Sequence, residues 1–222
     1  METYQLKVTN NSNNDTTFAL YLEQVETFPG VWTLVWMCGY CVAGASVSFT
    51  WKESFSGIWC QPGKKLDIGV ICNVSDSVHE MSDVASSQLV PLDSDNNHIS
   101  LSFLKSHGTY KFNEVGQSSP SSSYITSCDG SVPNGDQIPV SLAAGIGLGL
   151  SGQGGLLVNA QANMSFDWQD SVKYRLVFGN YNLGEIIDAD SVSGQSLAID
   201  YSPFSCSLAA QLSSANQLVL ME

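Results

Sequence analysis

Ser46-Val47-Ser48-Phe49-Thr50-Trp51 is apolar at 47, 49 and 51 and polar at 46, 48 and 50. Successive side chains of a strand point to opposite faces, so this alternation describes a strand with one face in a core and the other in water. The same rhythm runs outward in both directions. Tyr4, Leu6 and Val8 alternate with Gln5, Lys7 and Thr9, and Phe18, Leu20 and Leu22 follow less cleanly. Downstream come Leu66, Ile68, Val70 and Cys72; Ile99, Leu101 and Phe103; Tyr174, Leu176 and Phe178; Leu197, Ile199 and Tyr201; and the terminal Leu218 and Leu220. Between them lie turn compositions, among them residues 10–15, Pro29-Gly30, Pro62-Gly63, residues 93–97, Asp129-Gly130 and Pro133-Asn134-Gly135. Gly and Asn tolerate positive φ and Pro presets φ, which gives these turns a physical basis.

Helix signals are thin. Ser77-Val78-His79-Glu80 resembles a capping box leading into Met81, Val84 and Ala85, and predicts one short helix. Strands at short spacing without a βαβ rhythm imply antiparallel pairing. The expected fold is all-β: an antiparallel β-sandwich of jelly-roll type with at most one or two short helices. Residues 1–222 read as a single domain with a Ser-rich loop near 117–127, since neither side of that loop closes a sandwich alone.

Charge narrows the function classes. The chain has 222 residues, 8 Lys+Arg against 21 Asp+Glu, and a formal net charge of −13. A hydrophobic fraction of 43% is too high for a disordered chain. The acidic balance argues against nucleic acid, whose phosphates require clustered Lys and Arg. The acids fall in turns, at Asp15, Asp93, Asp95, Asp129 and Asp136, and are absent from the thirty residues 137–166. That distribution describes a solubilising surface around an apolar core.

The opening Met1 to Val8 has neither a basic nor an apolar signal-peptide region, and the run from Leu142 to Leu150 is too short to span a bilayer as a helix. A cytoplasmic protein with no membrane partner is expected. In that compartment Cys38, Cys41, Cys60, Cys72, Cys128 and Cys206 are expected as buried thiols. Cys38-Gly39-Tyr40-Cys41 follows a strand-like run instead of opening a helix, unlike a redox pair, and Cys60 and Cys72 are too far apart for a second zinc-ligand pair. The sequons at Asn10, Asn14, Asn73 and Asn163 read as chance matches in a Ser/Asn-rich chain.

No motif carries catalysis. Gly147-Leu148-Gly149-Leu150-Ser151-Gly152 has the spacing of a dinucleotide fingerprint, but Gln153-Gly154-Gly155 follows where a helix is required. It reads as a strand pair joined by glycines, or alternatively as a membrane-inserting hairpin within 137–166. Asp93-Ser94-Asp95-Asn96-Asn97 begins like a calcium loop, yet His98 stands at the glycine position and Leu104 at the bidentate Glu position. Asp188-Ala189-Asp190 is a second acidic pair, read like the first as solvated turn residues. His79, His98 and His107 lie in no hydrolase or metalloprotease motif. An enzyme, a metal and a cofactor are therefore not expected. The remaining asset is aromatic: Trp32, Trp36, Trp51 and Trp59 cluster in sequence. Trp51 reads as core, while Trp59, beside Gly57 and before Gln61-Pro62-Gly63, is expected at a surface. Trp59 and Trp32 are the candidate ligand-binding residues, because an exposed indole stacks on the C–H face of a sugar.

The opening Tyr4-Gln5-Leu6-Lys7-Val8-Thr9-Asn10-Asn11-Ser12, the Phe49-Thr50-Trp51 strand, and Tyr174-Arg175-Leu176-Val177-Phe178-Gly179-Asn180-Tyr181 running on to Gly184-Glu185-Ile186-Ile187-Asp188 resemble the RhiA family of rhizosphere-expressed proteins. The resemblance implies a soluble intracellular β protein and supplies no functional residues to carry over.

Together these readings favour a non-enzymatic β-sandwich acting through its surface in interaction, accumulation or self-assembly, with a homo-oligomer as partner. The alternatives are a lectin-like carbohydrate-binding module with a glycan partner, and a β-pore-forming protein.

Overall fold

The structure, a computed structural model, describes residues 2–24, 29–74, 86–118, 123–134, 138–201 and 206–221. The helix expected at Ser77 to Ala85 lies outside these residues. The strands in chain order are β1 (Thr3–Asn10), β2 (Thr16–Gln24), β3 (Trp32–Cys41), β4 (Ser46–Lys52), β5 (Phe55–Cys60) and β6 (Ser87–Pro91). They continue as β7 (His98–Leu104), β8 (Thr109–Gly116), β9 (Ser123–Cys128), β10 (Gly145–Leu150), β11 (Gln153–Asn159) and β12 (Ser165–Gln169). The last are β13 (Val172–Gly179), β14 (Ile186–Ile187), β15 (Leu197–Ile199), β16 (Ser207–Leu212) and β17 (Leu218–Met221), with a short helix α1 (Ala189–Ser193) after β14. The distal part of the expected Ser-rich loop is therefore strand β9.

A nine-stranded sheet, ordered β15-β13-β2-β3-β11-β10-β5-β6 with β14 beside β3, forms one layer. Two four-stranded sheets, β17-β16-β1-β4 and β12-β9-β7-β8, form the other. The fold is an all-β sandwich whose second layer is divided in two. Pairing is mostly antiparallel, but β1–β16 and β7–β9 are parallel. A parallel pair cannot be joined by a tight turn, and β1 and β16 meet only after nearly the whole chain has intervened.

The alternation that predicts β4 also decides its register. Leu6 lies opposite Phe49 and Val8 opposite Val47, so both strands turn the same face inward. That face meets β3 and β13 through an aromatic cluster. The rings of Trp36 and Trp51 are perpendicular at 5.2 Å, Tyr174 lies 5.2 Å from Trp51, and Tyr4 lies 4.8 Å from Tyr201. Edge-to-face pairs of this kind add about 0.5–1.5 kcal/mol to the gain from burial. The second small sheet packs on β5 through Phe55 against Tyr124 and Trp59 against Tyr110. One continuous core joins Leu6, Trp36, Trp51, Trp59, Ile99, Leu148 and Leu176, so all three sheets share it.

The β10–β11 hairpin within the charge-free segment forms the middle of this core. Strand β10 is buried along its whole length and β11 nearly so, between β3 and β5. Ser151 (φ 51°) and Gly152 (φ 75°) join them as a two-residue turn with positive φ at both positions, the geometry that matches strand twist. A Cβ on Gly147 would lie 1.9 Å from the Leu156 carbonyl oxygen. The glycine spacing therefore serves close packing within a hairpin, as the strand-pair reading expects.

The opposite face of the large sheet is covered by two smaller clusters. Leu66, Val70, Cys72 and Val74 pack on Leu34, Ile58, Leu157 and Ile186. Ile187, with Ala189 and Val192 of α1, packs on Ala19, Tyr21 and Val177.

Candidate interaction surface

The tryptophans are mostly structural. Trp59 is fully buried, which corrects the expected surface position: it lies on the inward face of β5, where its indole N–H donates to Gln88 Oε1 at 3.2 Å. An indole with no exposed face offers nothing to a sugar. Trp36 donates to the Leu150 carbonyl at 2.8 Å and Trp168 to Thr126 Oγ1 at 2.8 Å, both from the core. Trp32 is half-buried at the start of β3 beside the Leu34–Ile58 cluster, and its enclosed Nε1 takes no partner among the described residues.

Cys60 and Cys72 are joined as a disulfide, which corrects the expectation that all six cysteines are thiols. The bond ties the end of β5 to the segment covering the back of the large sheet. Cys38, Cys41, Cys128 and Cys206 are free. Cys38 and Cys41 stand three apart on one strand, so their side chains leave opposite faces, and burial raises the pKa of both thiols. Burial pushes Cys128 up to about 11. Raised values mark inert thiols.

The acidic turns are internally engaged. Asp93 Oδ1 accepts from the Asp95 and Asn96 backbone N–H groups at 2.9 and 2.8 Å. Asp188 caps α1 by accepting from Ser191 N–H. Among the described residues, no group of three or more His, Cys, Asp or Glu is placed to hold a metal. The first sequon residue, Asn10, is buried and donates from Nδ2 to the Asn14 and Cys41 carbonyls while its Oδ1 accepts from Ser12.

Sequence reading does not single out the surroundings of His98. Its Nδ1 lies 2.8 Å from Ser118 Oγ and its Nε2 2.9 Å from Ser127 Oγ. Strands β7 and β9 bring the latter pair together, and only a known strand pairing could have revealed it. Burial lowers the His98 pKa and so favours the neutral ring. Ser127 Oγ also donates to the Ile99 carbonyl at 3.4 Å. A serine nucleophile needs a base whose imidazolium is stabilised from behind, normally by a carboxylate. Here a second hydroxyl takes that place, so the array serves to fasten β9 and the Ser118 segment to β7.

The surface feature that stands apart is β17. It forms one edge of its sheet, pairing on one side with β16. Ser213 N–H donates to the Gln217 carbonyl at 2.9 Å and closes the hairpin. Counting from that pair in an antiparallel ladder, Val219 and Met221 turn their backbone groups toward β16, while Leu218 and Leu220 turn theirs outward. Three consecutive apolar side chains are exposed, Val219 at 39%, Leu220 at 42% and Met221 at 47%.

Exposed edges are normally blunted by charge, proline or shortness. Lys52 does this on β4, Pro91 on β6, Lys111 and Glu114 on β8, Asp167 on β12, and a length of three residues on β15. The Leu218-Val219-Leu220-Met221 edge has no charge, no proline and no bulge. Among the described residues, no helix is long and apolar enough to cross a membrane. Neither curated proteins nor solved structures give a match to this chain. The family model for RhiA matches residues 1–222, the whole length, and the chain belongs to the RhiA family.

Proposed function

We propose that this protein is a non-enzymatic β-sandwich that works by self-association, with β17 as the contact strand. The observation that carries this reading is the unprotected edge, where Leu218 and Leu220 direct backbone N–H and C=O groups outward between exposed apolar side chains. A second copy running antiparallel pairs this strand with itself, since every outward donor meets an identical strand's acceptor. The net charge of −13 opposes association over most of the surface. An uncharged strand at a sheet edge is where two such copies can approach.

The Cys60–Cys72 bond weighs against the expected cytoplasmic setting, because cytosolic glutathione keeps most thiols reduced.

Sedimentation velocity over a concentration series tests the proposal. Wild-type protein is expected to shift from monomer to dimer or higher species. Leu220→Pro removes one outward N–H while leaving the β16 ladder intact, and is expected to stay monomeric with an unchanged circular dichroism spectrum. A wild-type protein that remains monomeric throughout, or a Leu220→Pro variant that associates equally well, contradicts the proposal.

A further inference from the structure

The turn following α1 and the β16–β17 hairpin enclose a cleft of about 380 Å³. Its apolar lining is Phe178, Leu218 and Val219, and its polar lining is Gln195, Ser196, Asn216 and Gln217. No charged residue lines it. We propose that this cleft binds a neutral sugar, as one or two hexose units of a glycan.

The lining chemistry selects the ligand class. A phosphate or carboxylate would require Lys, Arg or a cluster of free backbone N–H groups, and in a chain of net charge −13 an anion would also meet long-range repulsion. A cation would require carboxylates or an aromatic cage. Three carboxamides and a hydroxyl instead present neutral donors and acceptors together, which suits the paired hydroxyls of a pyranose. Half-buried Phe178 and Leu218 supply an apolar wall for the ring's C–H face. The volume lies at the lower end of the ordinary range for small-ligand sites, roughly 300–1,000 Å³.

The amides are also available. Gln195, Asn216 and Gln217 are exposed, and among the described residues none of their side-chain amides takes a hydrogen-bond partner. Asn216 is held at φ 57° in the hairpin turn by its N–H donating to the Ser213 carbonyl, which leaves the side chain free. The Ser196 hydroxyl already donates to the Ser193 carbonyl at 2.9 Å, so the three amides are the groups that gain ligand partners, in exchange for water. This cleft is not legible in the sequence, because its walls are about 20 residues apart in the chain and neither carries a tryptophan.

Titration of ¹⁵N-labelled full-length protein with maltotriose, cellotriose and triacetylchitotriose tests the assignment. At least one is expected to shift resonances of Gln195, Ser196, Asn216 and Gln217, in fast exchange. Gln195→Ala and Gln217→Ala alter exposed turn positions and are expected to leave other resonances unmoved while weakening binding by about three- to tenfold each, the loss of one neutral hydrogen bond. The Leu220→Pro variant is expected to bind as the wild type does, which separates this site from self-association. Absence of shifts with all three trisaccharides, shifts unaffected by both glutamine substitutions, or stronger shifts with glucose 6-phosphate would overturn the proposal.

Discussion

Ile99 of β7 occupies the space where Gly57 of β5 would carry a side chain: a Cβ there would lie 1.8 Å from Ile99 Cδ1 and 2.8 Å from its Cγ1. This contact joins the large sheet to one of the two small ones, and it requires glycine at 57 because no atom can be added without displacing the core. Gly57→Ala is expected to destabilise the protein by about 1–3 kcal/mol, the usual cost of overpacking. Ile99→Val in the same chain should recover part of that loss by withdrawing the clashing methyl. Chemical denaturation of the single and double variants measures both effects.

Thr126 and Trp168 make a buried hydrogen bond between β9 and β12, with Nε1 to Oγ1 at 2.8 Å. Thr126→Val keeps the shape but orphans an indole N–H inside the core. The expected cost is about 1–3 kcal/mol. Trp168→Phe removes the donor as well as its partner's obligation, so the double variant should fall short of the sum of the two single losses. A double-mutant cycle in urea reads the difference.

Acid lability follows from His98. Burial lowers its folded pKa, so the folded protein binds the proton less readily than the unfolded chain does. The neutral ring's contribution is complete above the ordinary histidine value, about 6.5, and is lost as the pH falls below it. The His98→Gln variant should show a flatter stability profile between neutral and mildly acid pH. Equal slopes for wild type and variant would mean that His98 does not titrate as its surroundings imply.

The Cys60–Cys72 bond closes a loop of sequence separation 12. Chain-entropy reasoning assigns such a loop about 3 kcal/mol of stability, or roughly 6–12 °C in Tm for a chain of this length. Dithiothreitol should lower Tm by that order, and Cys60→Ser should lower it without further response to reductant. Maleimide labelling under denaturing conditions should find four reactive thiols before reduction and six after, matching the four free cysteines plus the bonded pair.

Much of the fold is legible in the sequence because strand burial has a simple period. Residues 46–52 alternate as written, and β1 beside them turns Leu6 and Val8 inward. The glycines of β10 are legible as close-packing positions once no helix follows them. Partner choice is not legible: nothing in Leu6 or Ala210 specifies that β1 runs parallel to β16, because that pairing is decided by long-range packing. Trp59 misleads because its neighbours Gly57 and Gln61-Pro62-Gly63 look like a turn, whereas Gly57 is a contact point for Ile99 and carries Trp59 into the core. The thiol expectation fails for a similar reason. Cys60 and Cys72 are separated in sequence, but the segment between them folds back over the sheet and brings their Cα atoms to 5.9 Å. Strand β17 is visible as the Leu218 and Leu220 pair, yet only sheet order reveals that it is an edge.

Amide hydrogen exchange at Leu218 and Leu220, followed as protein concentration rises, tests self-association most directly. If β17 pairs with a second copy, the two outward N–H groups gain partners, and their exchange slows with concentration while that of Val219 and Met221, already turned toward β16, changes little. Fast exchange at Leu218 and Leu220 at every concentration would contradict a role for this edge in assembly.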